Sequence, residues 1–200
     1  MSVMAYDPES TRQRVLAAAE SEFARYGPAG ARVDRIAATA GVNKQAIYHH
    51  FGTKDVLLAT VLRQRLDALA DDIPLDAGQL EAYVGRLFDF HVAHPELVRL
   101  VLWEGLSAGA DPVVSEPDRR AHYTDKIDAI ARAQAAGTID PSLDPRHLVL
   151  AILSLINWSL AATQVTRMLY GPGEDPGSAE NMAARRAFVV KAVGRICAAS

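Results

Sequence analysis

Lys44, Gln45, Tyr48 and His49 occupy positions i, i+1, i+4 and i+5 of the segment KQAIYHHF, residues 44–51. At helical spacing these four share one polar side, while Ile47 and Phe51, at i and i+4, form the opposite apolar side. The polar side has the chemistry of a base reader. Lysine donates to guanine O6 or N7, glutamine pairs with adenine, and a small residue such as Ala46 touches a thymine methyl. A face of this kind needs a support that presents its first turn outward. Residues 33–40, VDRIAATA, read as a short helix whose Ile36, Ala37 and Ala40 form a narrow apolar stripe. Gly41 ends it, because a residue without Cβ takes positive φ at low cost. Val42 plugs the turn. The Asn43 side chain caps the next helix by accepting from an orphan N–H. Two short helices about a tight turn, with donors opening the second, predict a helix-turn-helix. The competing reading is two ordinary helices of an all-α protein.

The pattern Ile36-Ala37-x-x-Ala40-Gly41-Val42, followed by Ile47-Tyr48-x-His50-Phe51-x-x-Lys54, resembles the N-terminal domain of the TetR family of transcriptional repressors, from about Ser10 to Leu58. Two later stretches, His94 to Glu104 and Arg132 to Gly137 with its following Asp-Pro, are similar to actinobacterial-type members of that family. The resemblance implies an all-α protein with an N-terminal three-helix helix-turn-helix DNA-binding domain, residues 1–55. A C-terminal helical ligand-binding and dimerisation domain would follow, residues 56–200. It implies that Lys44, Gln45 and Ala46 meet base edges, with Asn43 beside them at the turn. Tyr48 and His49 would meet phosphates, and Lys54 would add its cation to backbone N–H groups facing a phosphate. Tyr48 has a structural alternative, as a half-buried aromatic. The chain departs from the family where Arg32 and Val33 replace a frequent hydroxyl residue. Arg32 keeps a possible phosphate contact, but Asp34 would repel phosphate unless Arg35 or Arg32 pairs with it.

Composition narrows the class. Half of the 200 residues are hydrophobic, aromatics are 6%, and the formal net charge is −3, so the whole chain is not a broad polycation. Residues 1–55 carry seven Lys and Arg against six Asp and Glu, and the remainder fourteen against eighteen. DNA affinity would come from a few placed cations and backbone donors rather than a wide positive field. The single cysteine, Cys197, forms no internal disulfide and fits a reducing, cytoplasmic setting. It reads as a small apolar residue near the end of the last helix. The first ten residues lack the regions of a signal peptide.

Further helices are expected from cap and breaker signals. Asp7-Pro8 starts the first, with Val15, Ala19, Phe23 and Tyr26 on one face and Gly27-Pro28 as its stop. Thr53 caps a helix to about Asp72. Gln79 to Ala93 carries Leu80, Val84, Leu87 and Phe88 inward, and Pro95 begins a helix through Leu106. Ala110 to Pro117 reads as a loop, and Arg119 to Ala136 as a helix ended by Gly137. Asp144-Pro145 opens a single long helix to Tyr170. Ser178 caps a last helix with Met182, Val189, Val193 and Ile196 on one face. Leu148 to Thr166 has no charged residue, about the length of a bilayer span, but its Ser, Asn, Thr and Gln residues favour a buried helix shared between core and dimer interface.

The C-terminal half is expected to hold a small, largely apolar effector. The candidate polar groups on its apolar helices are Tyr83, His91, Trp103, Glu104, Asn157, Trp158 and Gln164. The helices 145–170 and 178–198 are expected to pair with their symmetry mates in a homodimer that binds a palindromic double-stranded DNA operator. No cofactor, metal, membrane partner or enzymatic activity is expected. The alternatives are a helical small-molecule-binding protein without operator function and a serine hydrolase. The hydrolase reading rests on Gly105-x-Ser107-x-Gly109, which would need a preceding strand. His91-x-x-His94 has metal-ligand spacing without a third ligand nearby.

Overall fold

The computed structural model describes residues 8–108, 113 and 115–198, with helices and no strand among them. The helices are α1 (Pro8–Gly30), α2 (Val33–Ala40), α3 (Lys44–Phe51), α4 (Lys54–Asp72), α5 (Leu80–Ala93), α6 (Pro95–Ala108), α7 (Glu116–Ala135), α8 (Pro145–Ala161), α9 (Thr163–Tyr170) and α10 (Ala179–Cys197). A 3-10 turn, Ala77–Gln79, precedes α5. The expected cap Asp7 and most of the expected loop after α6 lie outside the described residues. Two compact units emerge: Met1–Asp67 with Arg99–Ser115, and Ala68–Val98 with Glu116–Ser200. The first unit takes in most of α4 and most of α6 along with the residues before 55.

In the first unit, the apolar stripes of four helices converge. Val15, Ala19 and Phe23 of α1, Ile36 of α2, Ile47 and Phe51 of α3, and Leu57, Val61 and Leu62 of α4 are all buried. Helix α1 contains a break rather than a clean stop: Gly27 has φ 69° and ψ 173°, a conformation almost confined to glycine. A Cβ there would also meet the Trp103 ring at 2.9–3.0 Å. Arg99 Nε donates to Ala24 O at 2.8 Å, satisfying a carbonyl just before the break. Trp103 thus packs on α1 within this unit, to which the segment carrying Glu104 also belongs. Tyr26 is 40% exposed instead of inward, with the Arg35 guanidinium 4.3 Å from its ring centre.

The second unit has its own core. Leu80, Val84, Leu87 and Phe88 of α5 pack with Ile130 of α7, Ile152 and Ile156 of α8, and Val189 and Val193 of α10. Ser178 caps α10 by accepting from Asn181 N at 3.2 Å, as its sequence position predicts. Cys197 is buried at the end of α10, and burial raises its thiol pKa. Its neighbour Ile196 is 46% exposed, against expectation, because α10 turns Cys197 rather than Ile196 into the core.

The predicted single helix from Pro145 to Tyr170 is two helices, bent by 78° at the break between them. Ala162 (φ −94°, ψ 57°) ends α8 and opens α9. The Thr166 hydroxyl lies 3.1 Å from Ser159 O and 3.3 Å from Ala162 O, and it serves the Ser159 carbonyl, while Ala162 O already accepts from the backbone N–H groups of Val165 and Thr166. Among the described residues, no single helix is long and apolar enough to cross a membrane.

Candidate nucleic-acid interface

The reading helix is built by its caps. Gly41 adopts φ 66°, and its N–H reaches the Ala37 and Ala38 carbonyls at the end of α2. Asn43 Oδ1 accepts from Ala46 N at 2.7 Å, so α3 starts where the residue types predict. With Ile47 and Phe51 anchored in the core, α3 leaves Lys44, Gln45, Tyr48 and His49 exposed and Ala46 half-buried. Tyr48, at 43% exposure, is a surface residue and not a core aromatic. The Arg12 guanidinium sits 5.5 Å from the Phe51 ring, on the scaffold side.

The charges around α2 are arranged differently from the sequence expectation. Arg35 does not pair with Asp34. Its Nε donates to Glu22 Oε1 at 2.8 Å and its Nη2 to Gly30 O at 2.9 Å. Arg32 gives its backbone N–H to the same Glu22 oxygen at 2.9 Å, while its side chain is exposed at the start of α2. Helix α2 has no side-chain cap, as the loss of a hydroxyl at position 32 implies. Burial alone would raise the Glu22 pKa. The hydrogen bonds from Arg35 and Arg32 outweigh it and hold the carboxyl below its ordinary value. Asp34 instead meets Lys44, whose Nζ lies 2.9 Å from Oδ1 and 3.1 Å from Oδ2. That hydrogen bond raises the Lys44 pKa and keeps the ammonium charged.

Lys54 is turned toward the scaffold. Its Nζ donates to Pro28 O at 2.8 Å and Ala31 O at 3.3 Å, so the cation tethers the start of α4 to the end of α1. Of the residues proposed for DNA, Lys44, Gln45, Tyr48, His49 and Arg32 remain exposed near α2 and α3. Asn43 acts through its cap, and Lys54 through its two carbonyls.

The effector candidates separate. Tyr83 is 3% exposed and lines a narrow space of only ≈ 10 Å³, about the room one water needs, with Leu75, Lys126, Ile130, Val149, Ile152 and Leu153. Burial, with a smaller effect of Tyr123, pushes the Tyr83 phenol up to about 12, and burial lowers the Lys126 pKa. Lys126 escaped the sequence reading, although its i, i+4 relation to the buried Ile130 was available to place it. A wider, open groove of ≈ 480 Å³ is lined by Ala77–Ala82, Thr138, Ile139 and Cys197, with Gln79, Glu81 and Thr138 as its polar residues. His91 is a buried core residue whose Nδ1 meets Leu87 O at 2.8 Å, and burial lowers its pKa. Trp158 is 65% exposed and Gln164 is exposed, so neither lines the Tyr83 cavity. The Asn157 Oδ1 atom is buried without a hydrogen-bond partner among the described residues. No metal-binding cluster of His, Cys, Asp or Glu occurs among the described residues. Gly105 and Ser107 lie within α6, so the hydrolase elbow lacks its strand, and Gly109 lies outside the described residues.

Residues 15–61 match the model for bacterial regulatory proteins of the tetR family, and residues 79–195 the model for the tetracyclin repressor-like C-terminal domain. The chain belongs to the TetR family. It is 42% identical to the HTH-type transcriptional repressor SCO4008 of Streptomyces coelicolor over 85% of this chain and 88% of that protein. It is 32% identical to the HTH-type transcriptional regulator RutR of Escherichia coli, covering 70% of this chain and 69% of that one. The crystal structure of transcriptional regulator SCO4942 from Streptomyces coelicolor superposes with a TM-score of 0.81 at 35% identity, covering 94% and 98% of the two chains. As a TetR-family member the protein is a ligand-responsive, DNA-binding transcriptional repressor, and the serine hydrolase reading has no support.

Proposed function

We propose that the protein binds a palindromic operator as a homodimer, through α3 of each subunit, and leaves it when a small, largely apolar effector occupies the C-terminal unit. The observation that carries the reading is the exposed face of α3, on which Lys44 and Gln45 open the helix while Ile47 and Phe51 are buried behind it. Lys44, Gln45 and Ala46 read base edges. Arg32, Tyr48 and His49 hold phosphates. The half-sites lie roughly one helical turn or somewhat more apart.

Dimerisation is supported by exposed apolar side chains in the expected segments: Leu150 and Trp158 of α8, Met168 and Leu169 of α9, and Phe188 and Ile196 of α10. An isologous four-helix contact would cover such a surface. The effector reading is supported by the size of the C-terminal unit, larger than dimerisation needs, and by Tyr83 and Lys126 beside an apolar wall, where the space of ≈ 10 Å³ has to widen to admit a ligand. The effector releases the operator by favouring the subunit spacing that does not fit DNA. A DNA-reading protein of this kind works in the cytoplasm.

Selection from randomised duplexes tests the core of this proposal. The wild type should recover an inverted repeat, and Lys44→Ala or Gln45→Ala should change the recovered sequence. If both variants keep the wild-type preference and affinity, α3 is not the reader.

A further inference from the structure

Asp34 has no scaffold role to explain it. Its side chain is 71% exposed and Lys44, its partner, 47%, so the pair adds little to stability, as exposed ion pairs generally do. Yet it places a carboxylate on α2 beside the first residue of the reading helix, on a surface that has to approach phosphates. Such a charge is tolerated there if DNA offers it a donor, and the major groove has one suited to carboxylates, the exocyclic amine of cytosine.

We propose that Asp34 and Lys44 act as one reading unit that selects a G·C base pair in each half-site. Adjacent groups of that pair are the guanine O6 acceptor and the cytosine N4 donor, hydrogen-bonded to each other at about 2.9 Å. The protein presents the inverse, an ammonium donor 2.9 Å from a carboxylate acceptor. Docked edge to edge, Lys44 donates to guanine O6 and N7, Asp34 accepts from cytosine N4, and the Lys44–Asp34 contact persists. Donors and acceptors then alternate around the four groups. A T·A pair in the same orientation also has a central acceptor and donor, from thymine O4 and adenine N6. It fails at the edges, where the thymine methyl faces the ammonium and the adenine N7 acceptor faces the carboxylate. Reversing the pair puts donor against donor. The Asp34 carboxylate also keeps the Lys44 ammonium from drifting to a phosphate, where it would add affinity without sequence information.

This inference rests on the assignment of α3 as the reading helix, and the variants separate the two. Wild type, Asp34→Ala, Asp34→Asn, Lys44→Ala and Gln45→Ala would be compared by selection on randomised duplexes and by salt titration of binding. Because Asp34 is exposed, both of its variants should melt as the wild type does. The wild type should select G·C at one fixed position of each half-site. Asp34→Ala should lower that discrimination by on the order of tenfold, leave the other positions unchanged, and bind unrelated DNA more tightly with a steeper salt slope. Asp34→Asn should move the same position toward T·A, since an amide reads adenine N6 and N7. An Asp34→Ala protein that keeps the wild-type preference and salt slope, while Lys44→Ala alters the preference, overturns the paired reading and leaves α3 as the reader. Silence of both Lys44→Ala and Gln45→Ala removes the assignment of α3 and this inference with it.

Discussion

The Lys54 ammonium satisfies two carbonyls, Pro28 O and Ala31 O, where α1 ends. Hydrogen bonds from a charged donor contribute more than neutral ones, and removal strands the acceptors. Lys54→Met should therefore destabilise the protein by about 1–3 kcal/mol in denaturant unfolding, with little change in the salt slope of DNA binding. A lowered salt slope at unchanged stability would return Lys54 to a phosphate-binding role. His91 gives a second prediction at this scale. Burial places its folded pKa below the ordinary 6.5, against smaller opposing help from Leu87 O. The sign follows: its contribution to stability is full above 6.5 and is lost as pH falls through the lowered folded value. Melting temperature should drop as pH goes from 7.5 to 5, and His91→Gln should flatten the slope in that window. The Glu22 carboxyl, also lowered, acts in a separate and more acid window, below 4.5.

At the scale of elements, the turns decide where helices point. Gly41 and Asn43 act together, one ending α2 with positive φ and the other opening α3 with a side-chain cap, so the first turn of α3 is presented outward. Gly27 performs a different task, bending α1 under the Trp103 ring. Gly27→Ala combines an unfavourable conformation with a contact of 2.9 Å to an indole, and should cost at least about 1–3 kcal/mol. Chemical denaturation checks the cost. Trp103 fluorescence should shift with the substitution even where the protein still folds. Unchanged stability and emission would mean the break is held elsewhere. The Ala162 break has no proline or glycine to announce it. In the folded chain it is marked by the Ala162 dihedrals and by the Thr166 hydroxyl reaching back to Ser159 O.

For the whole molecule, the exposed apolar side chains of α8, α9 and α10 predict association. Sedimentation at micromolar concentration should show a dimer. Phe188→Lys, which puts a charge on a side chain 66% exposed in the single chain, should shift it to monomer without unfolding. Operator affinity should fall with it, because the two half-site contacts would no longer be linked. A wild type that sediments only as monomer removes the dimer.

Local chemistry made much of the protein legible in the sequence. The caps at Asn43 and Ser178, the αL residue Gly41 and the stripe of α5 are set by neighbours within four residues, so their signals lie in the chain itself. The polar face of α3 was legible for the same reason. Tertiary structure alone decided what side chains far apart in sequence do with their charges and rings. It chose Glu22 over Asp34 for Arg35, gave Asp34 to Lys44 ten residues away, turned Lys54 to carbonyls more than twenty residues back, and placed Trp103 on Gly27. Long side chains reach several partners at similar cost, and the backbone packing that brings one partner close settles the choice.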